Sequence, residues 1–268
     1  MLLGMLCMAQ AKDRIVERPP FLAQNSSSIE IDKIVMSDTV TTVYIKAFYR
    51  PKYWIKIATG SVLKDNNGIL YPIRKGIGIT LDKEFWMPES GEAEFQLTFP
   101  PIPQNVTRLD FSEGDFEGAY KIWGIQLDKK SFGKFKLPKD VIVPKADHKM
   151  TLPDPIVKYD KAILKGRILD YQKGMPDKGS LYYQDVIRDG AQEGKIRIQD
   201  DGTFYHEMNV FMITPCTIMF PFGTIEYLLA PGETTSIVIN LRENARKQSH
   251  LRQAEKPYGK EVYYGGYL

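Results

Sequence analysis

The run Thr41–Phe48, TTVYIKAF, sets Val43, Ile45 and Ala47 two residues apart, the spacing that turns one face of a β-strand toward a core. The same alternation, punctuated by Gly, Pro and Asn, recurs from about residue 28 to residue 127. Strands are expected at Ile29–Ile34, Thr41–Phe48, Tyr53–Thr59, Gly68–Ile73, Gly76–Leu81, Ala93–Phe99, Thr107–Phe111 and Ala119–Leu127. Asn66-Asn67-Gly68 supplies a tight turn, since Asn and Gly accept positive φ, and it pairs the Trp54–Leu63 region with Ile69–Ile73 as a hairpin. Seven or eight short strands in roughly 100 residues is the density of an immunoglobulin-like sandwich.

Residues 129–159 change character, with four prolines, many lysines and no sustained period. They read as a linker, because proline blocks ladder donors and helices alike. A second β block follows, with strands at Ala162–Asp170, Gly179–Gln184, Gly194–Gln199, Gly202–Val210, Thr217–Pro221, Thr224–Leu229 and Thr235–Leu241. Asp200-Asp201-Gly202 and Ala230-Pro231-Gly232 are its clearest turns. Beyond Leu241 the chain is rich in Arg, Lys, Gln and Glu, which predicts a charged, solvent-exposed helix over about Arg242–Lys256. The expected architecture is all-β: two immunoglobulin-like or transthyretin-like sandwiches in tandem, 25–128 and 160–241, and a helical tail, 242–268. The abrupt end at Tyr267-Leu268 reads as a lead into a further domain.

The length of 268 residues accommodates two domains. A balance of 36 Lys plus Arg against 33 Asp plus Glu, interspersed along the chain, gives no electrostatic case for nucleic acid. The first eleven residues, MLLGMLCMAQA, are apolar and end in Ala9-Gln10-Ala11, a signal-peptidase pattern. Export with cleavage after Ala11 is expected, to a bacterial periplasm or cell surface, with no membrane span in the mature chain. Leu6 before Cys7 fits a lipoprotein site poorly, and after cleavage Cys216 is the one cysteine left.

The chemistry-bearing residues are sparse. His148, His206 and His250 show no metal-ligand spacing, and no zinc or haem is indicated. There is no G-x-S-x-G elbow, and Cys216 lies among Ile218, Met219 and Phe220, the setting of a buried, inert thiol. Gly76-Ile77-Gly78 lacks the third glycine of a dinucleotide fingerprint. The acidic run Asp110, Glu113, Asp115, Glu117 reads as a solvated turn, without the spacing of a calcium loop. No catalytic, cofactor or metal residue is therefore assigned. Tyr53, Trp54 and Trp86 are the candidate ligand-facing aromatics, with Trp123 free to fall on either face of its strand.

Two groups of motifs carry a resemblance. Phe85-Trp86-Met87-Pro88-Glu89-Ser90-Gly91, Leu97-Thr98-Phe99-Pro100-Pro101-Ile102-Pro103 and Leu109-Asp110-Phe111-Ser112-Glu113-Gly114 resemble the N-terminal module of exported Bacteroidetes proteins of the TlpA-like, thioredoxin-family disulfide reductase group. Lys165-Gly166-Arg167-Ile168, Asp201-Gly202-Thr203-Phe204 and Leu228-Leu229-Ala230-Pro231-Gly232-Glu233 resemble the β-sandwich that precedes the thioredoxin domain in such proteins. The C-x-x-C of that domain is absent from this chain. The resemblance implies an accessory, non-enzymatic region that positions a downstream thioredoxin-like domain or meets cell-envelope proteins. The alternative is a glycan- or peptide-binding module that uses the exposed aromatics.

Overall fold

The computed structural model describes residues 13–128, 132, 134–139, 157–184 and 190–265. The expected signal segment, Cys7, His148 and most of the 129–159 linker lie outside the described residues. The described chain is all-β and forms two compact units. The first takes residues 13–21, 26–128, 132 and Ser249–Arg252, and the second 22–25, 134–139, 157–184, 190–248 and 253–265.

In the first unit, β1 (Arg14–Glu17), β3 (Ile29–Met36), β4 (Thr41–Phe48), β10 (Glu92–Phe99) and β8 (Lys75–Ile77) form one sheet in the order β1-β3-β4-β10-β8. The short β2 (Ala23–Gln24) belongs to the second unit. The other sheet of the first unit places β12 (Lys121–Gln126), β11 (Arg108–Ser112), β6 (Val62–Asp65) and β7 (Leu70–Pro72) side by side in that order. Along β4 every second residue is buried. Val43 and Ile45 join Ile29, Ile34, Leu97 and Phe99 in a core completed by Leu63, Leu109, Phe111 and Ile125 from the other sheet. The expected hairpin forms between β6 and β7. Asp65 holds its turn, its carboxylate accepting from the Asn67 and Ile69 amides at 2.8 and 2.9 Å and from the Tyr71 hydroxyl.

Periodicity over Tyr53–Thr59 reads as one strand, but the chain uses only Trp54–Ile55 as β5, paired with β9 (Phe85–Trp86) in a separate two-stranded ribbon. Past Ile57 the backbone is diverted by the loop at Asp82, whose carboxylate takes the Thr59 amide at 3.1 Å and hydroxyl at 2.6 Å.

The second unit pairs two four-stranded sheets. One runs β16 (Thr203–Val210), β13 (Asp160–Leu169), β19 (Thr234–Asn240), β20 (Val262–Gly265), and the other β15 (Ala191–Arg197), β14 (Lys178–Gln184), β17 (Thr214–Phe220), β18 (Gly223–Leu229). Lettered A to H in chain order, these are D-A-G-H and C-B-E-F, the transthyretin-like arrangement, with β13 and β19 parallel. Its core explains two of the motifs. Gly166 of the Lys-Gly-Arg motif lies directly across the ladder from Phe204 of the Asp-Gly-Thr-Phe motif. The ring covers the bare glycine so closely that a β-carbon there would fall 1.8 Å from it. Phe204 meets Phe220 edge to face at 5.6 Å, and Phe220 lies in turn over Gly179. Two glycines thus make room for two rings, an aromatic cover of the kind that secures glycine within a sheet.

The tail departs from expectation. The helix, α1 (Leu241–Gln248), is shorter than predicted, and Leu241, Glu243, Asn244, Ala245 and Arg246 are buried. Charge can be buried there because Arg246 forks onto Glu243, at 3.0 and 2.7 Å, and the Tyr258 amide donates to the same carboxylate at 2.8 Å. Burial opposes ionisation of Glu243, yet Arg246 and Tyr258 outweigh it and hold the carboxyl below its ordinary range. Beyond the helix, Val262–Gly265 adds β20 to the edge of β19.

Candidate functional site

Alternation builds the β5–β9 ribbon. Ile55 is buried, and Phe85 beside it faces Phe95 at 6.1 Å, so this side of the ribbon is anchored in the core of the first unit. The residues one step away, Trp54 and Trp86, must face outward. They are direct partners across the ladder, 44% and 61% exposed. Cross-strand partners project from the same face with β-carbons about 5 Å apart, so the two indoles form a single apolar surface.

The ribbon is held at the end where Tyr53 meets Met87. The Met87 amide donates to the Tyr53 carbonyl at 2.8 Å and the Lys52 amide to the Met87 carbonyl at 3.2 Å, while Met87 itself is buried. At the turn into β10, Gly91 has φ +71° and a β-carbon there would fall 2.7 Å from the Tyr49 carbonyl oxygen. Lys52 and Glu89 form an ion pair at 2.9 Å across the rim. Tyr53 is exposed but precedes Trp54 by one residue and projects the other way. It meets Tyr49 edge to face at 6.3 Å, with the Arg50 guanidinium 5.7 Å from its ring. The structure therefore brings Trp54 and Trp86 together and leaves Tyr53 in a neighbouring pair.

Trp123, open to either face in the sequence, is buried in the core. The acidic residues are dispersed into separate structural tasks. Asp110 accepts the Gly124 amide at 2.8 Å, and Asp115 pairs with Lys121 at 2.7 Å. Glu113 is buried and accepts the Ala58 and Tyr120 amides at 2.8 and 2.9 Å, and its burial raises its pKa. His206 is half-buried and its pKa is lowered by that burial, against the pull of Glu207. His250 stacks on Phe48 at 4.4 Å. Burial pushes the Cys216 thiol up to about 12.

One buried charge carried no signal in the sequence beyond its position in an apolar strand. Glu30, 1% exposed, accepts the Ser249 hydroxyl and the His250 amide at 2.6 Å each and the Leu251 amide at 3.2 Å. It seats the Ser249–Arg252 turn of the first unit.

No protein-family profile matches the chain, and no curated protein matches it. Solved structures give distant likenesses. Type I pullulanase from Bacillus subtilis, complexed with maltose, aligns over 75% of this chain and 24% of its own, with 9% identity and a TM-score of 0.28. Pullulanase from Anoxybacillus, complexed with maltotriose, aligns over 70% of this chain and 24% of its own, with 11% identity and a TM-score of 0.27. The Bacillus anthracis TIE protein aligns over 85% of this chain and 40% of its own, with 9% identity and a TM-score of 0.22. The chain spans about a quarter of the pullulanases it aligns with. Activity and ligands do not transfer at this level of similarity.

Proposed function

We propose that this protein is a carbohydrate-binding module of an exported, cell-envelope protein, with Trp54 and Trp86 as its stacking surface. The observation that carries the reading is the pair of exposed indoles side by side on a ribbon whose other face is locked in the core. Two large apolar rings facing water cost solvation free energy that a ligand face recovers, and indoles serve such surfaces because they bring contact area at little entropic cost.

Charge and backbone distinguish the ligand classes. An extended peptide captured by strand addition needs a run of open ladder groups, and β5 and β9 are two residues each. A nucleic acid needs a concentration of basic residues around the stacking rings, whereas the chain balances 36 Lys plus Arg against 33 Asp plus Glu and Lys52 at the rim pairs with Glu89. An uncharged sugar ring with an apolar C–H face requires neither. The accessory role implied by the thioredoxin-family resemblance is compatible with this reading, since a sugar-binding module would tether a downstream domain to the envelope.

Affinity electrophoresis through gels containing soluble starch, xylan, mannan or peptidoglycan fragments tests the proposal. At least one polymer should retard the wild-type protein, and Trp54→Ala or Trp86→Ala should clearly weaken the retardation while leaving the far-UV circular dichroism unchanged. Equal retardation of wild type and both variants would refute it, as would free migration of the wild type in every gel.

A further inference from the structure

The outer face of the β1-β3-β4-β10-β8 sheet holds an open groove of about 480 Å3, within the size range of small-ligand sites. It arises from two irregularities. A β-bulge shifts the register of β3 against β4 between Ile31 and Lys33, and bulges bend a strand and re-aim its side chains. On the far side, β8 accompanies β10 only as far as Ile77, and Gly78, at φ +81°, turns the chain away.

The bulge brings Asp32 and Lys33 to the same groove as Lys46 and Glu94. Lys46 lies 4.0 Å from Asp32 and 3.3 Å from Glu94, so carboxylate, ammonium and carboxylate line up across three strands. Lys33 sits over the Tyr44 ring at 4.2 Å. Gln96 stands between Tyr44 and Ile77 in register, and Ile77 is 43% exposed.

The four charged side chains that line the groove sum to zero, and Arg18 reaches Asp32 from outside it at 3.8 Å; signs that alternate in this way leave no single-sign field to hold an anion or a cation. Two carboxylates, an ammonium and an amide retain donors and acceptors on one face after their mutual pairing, a set that matches adjacent hydroxyls. Ile77, on the far side of Gln96 from Tyr44, adds an apolar contact. We propose that this groove is a second carbohydrate subsite for a neutral oligosaccharide, its hydroxyls met by Asp32, Lys46, Glu94 and Gln96 and a ring face by Ile77. The proposal extends the carbohydrate-binding reading to a second site and is tested apart from the indole pair.

The test is a titration of the 15N-labelled full chain with maltotriose, cellotriose, xylotriose and chitotriose, in wild type and in the Trp54→Ala/Trp86→Ala double variant. At least one trisaccharide should shift the backbone amides of Asp32, Lys46, Glu94 and Gln96 saturably in both proteins. Lys46→Met should weaken that response at least about tenfold, and Glu94→Gln, at a more exposed position, provides a second variant that leaves the core untouched. Groove amides unmoved by all four sugars would overturn the proposal, as would shifts undiminished in both variants. Failure of the indole-pair reading shows separately, as groove shifts unaccompanied by movement of the Trp54 and Trp86 indole N–H signals.

Discussion

Replacing Gly166 by Ala tests the packing of the second unit at its tightest point. The added methyl would lie 1.8 to 2.3 Å from three carbons of the Phe204 ring. The ring has little room to retreat, because it is 3% exposed and Phe220, its edge-to-face neighbour, already lies where a β-carbon on Gly179 would be 2.7 Å away. Two outcomes bound the cost. Strain accommodated in place costs about 1–3 kcal/mol, and expulsion of Phe204 costs about as much as losing a buried Phe, roughly 3–5 kcal/mol. Urea denaturation followed by circular dichroism should show a loss of about 3 kcal/mol, a midpoint lower by roughly 1–3 M for the transition that includes β13 and β16. Shrinking the ring should relieve the clash, so Gly166→Ala in a Phe204→Leu background should cost at least about 1 kcal/mol less than alone. A single-variant cost below about 1 kcal/mol, or strict additivity with Phe204→Leu, would refute the interlock.

Glu113 makes a pH prediction. Its folded carboxyl is raised by burial, so between the ordinary glutamate value and the raised one the native state holds a proton that the unfolded chain has lost. This contribution to stability is complete below the ordinary value and is lost as pH rises through the folded one. Glu113→Gln should flatten that part of the stability profile and, by turning an amide donor toward the Ala58 or Tyr120 N–H, cost about 1–3 kcal/mol at neutral pH in chemical denaturation. Glu30→Ala leaves three donors at the Ser249–Leu251 turn without their carboxylate, and a loss of about 3 kcal/mol with faster hydrogen exchange at His250 and Leu251 is expected. With its thiol pushed up to about 12, Cys216 should label with iodoacetamide in the native protein at least about a thousandfold more slowly than in urea, as read by peptide mapping.

The parts of the fold legible in the sequence are those where a residue's neighbours along the chain decide its face. Thr41–Phe48 alternates because one side is core, and Asn66-Asn67-Gly68 turns because its residues tolerate the geometry. Strands that depend on a distant partner are not legible: Arg14–Glu17 and Val262–Gly265 are four residues each and take their conformation from β3 and β19. The charged tail reads as exposed because composition cannot show that Arg246 will meet Glu243. Trp54 and Trp86 were visible as candidates, but their pairing was not, since it needs the ladder between β5 and β9. The groove was hidden for a related reason, because a bulge at Asp32 leaves no trace in periodicity.

The most direct measurement of the central claim follows the indole N–H resonances of the 15N-labelled protein during titration with a trisaccharide of whichever polymer retards it. Three tryptophans give three such signals. Trp54 and Trp86 should shift together and saturate, while Trp123, buried in the core, stays fixed. Removing either exposed indole should weaken binding by about 30-fold, the equivalent of roughly 2 kcal/mol. Saturable sugar binding that leaves the Trp54 and Trp86 signals unmoved would contradict the assignment of the ribbon as the binding surface.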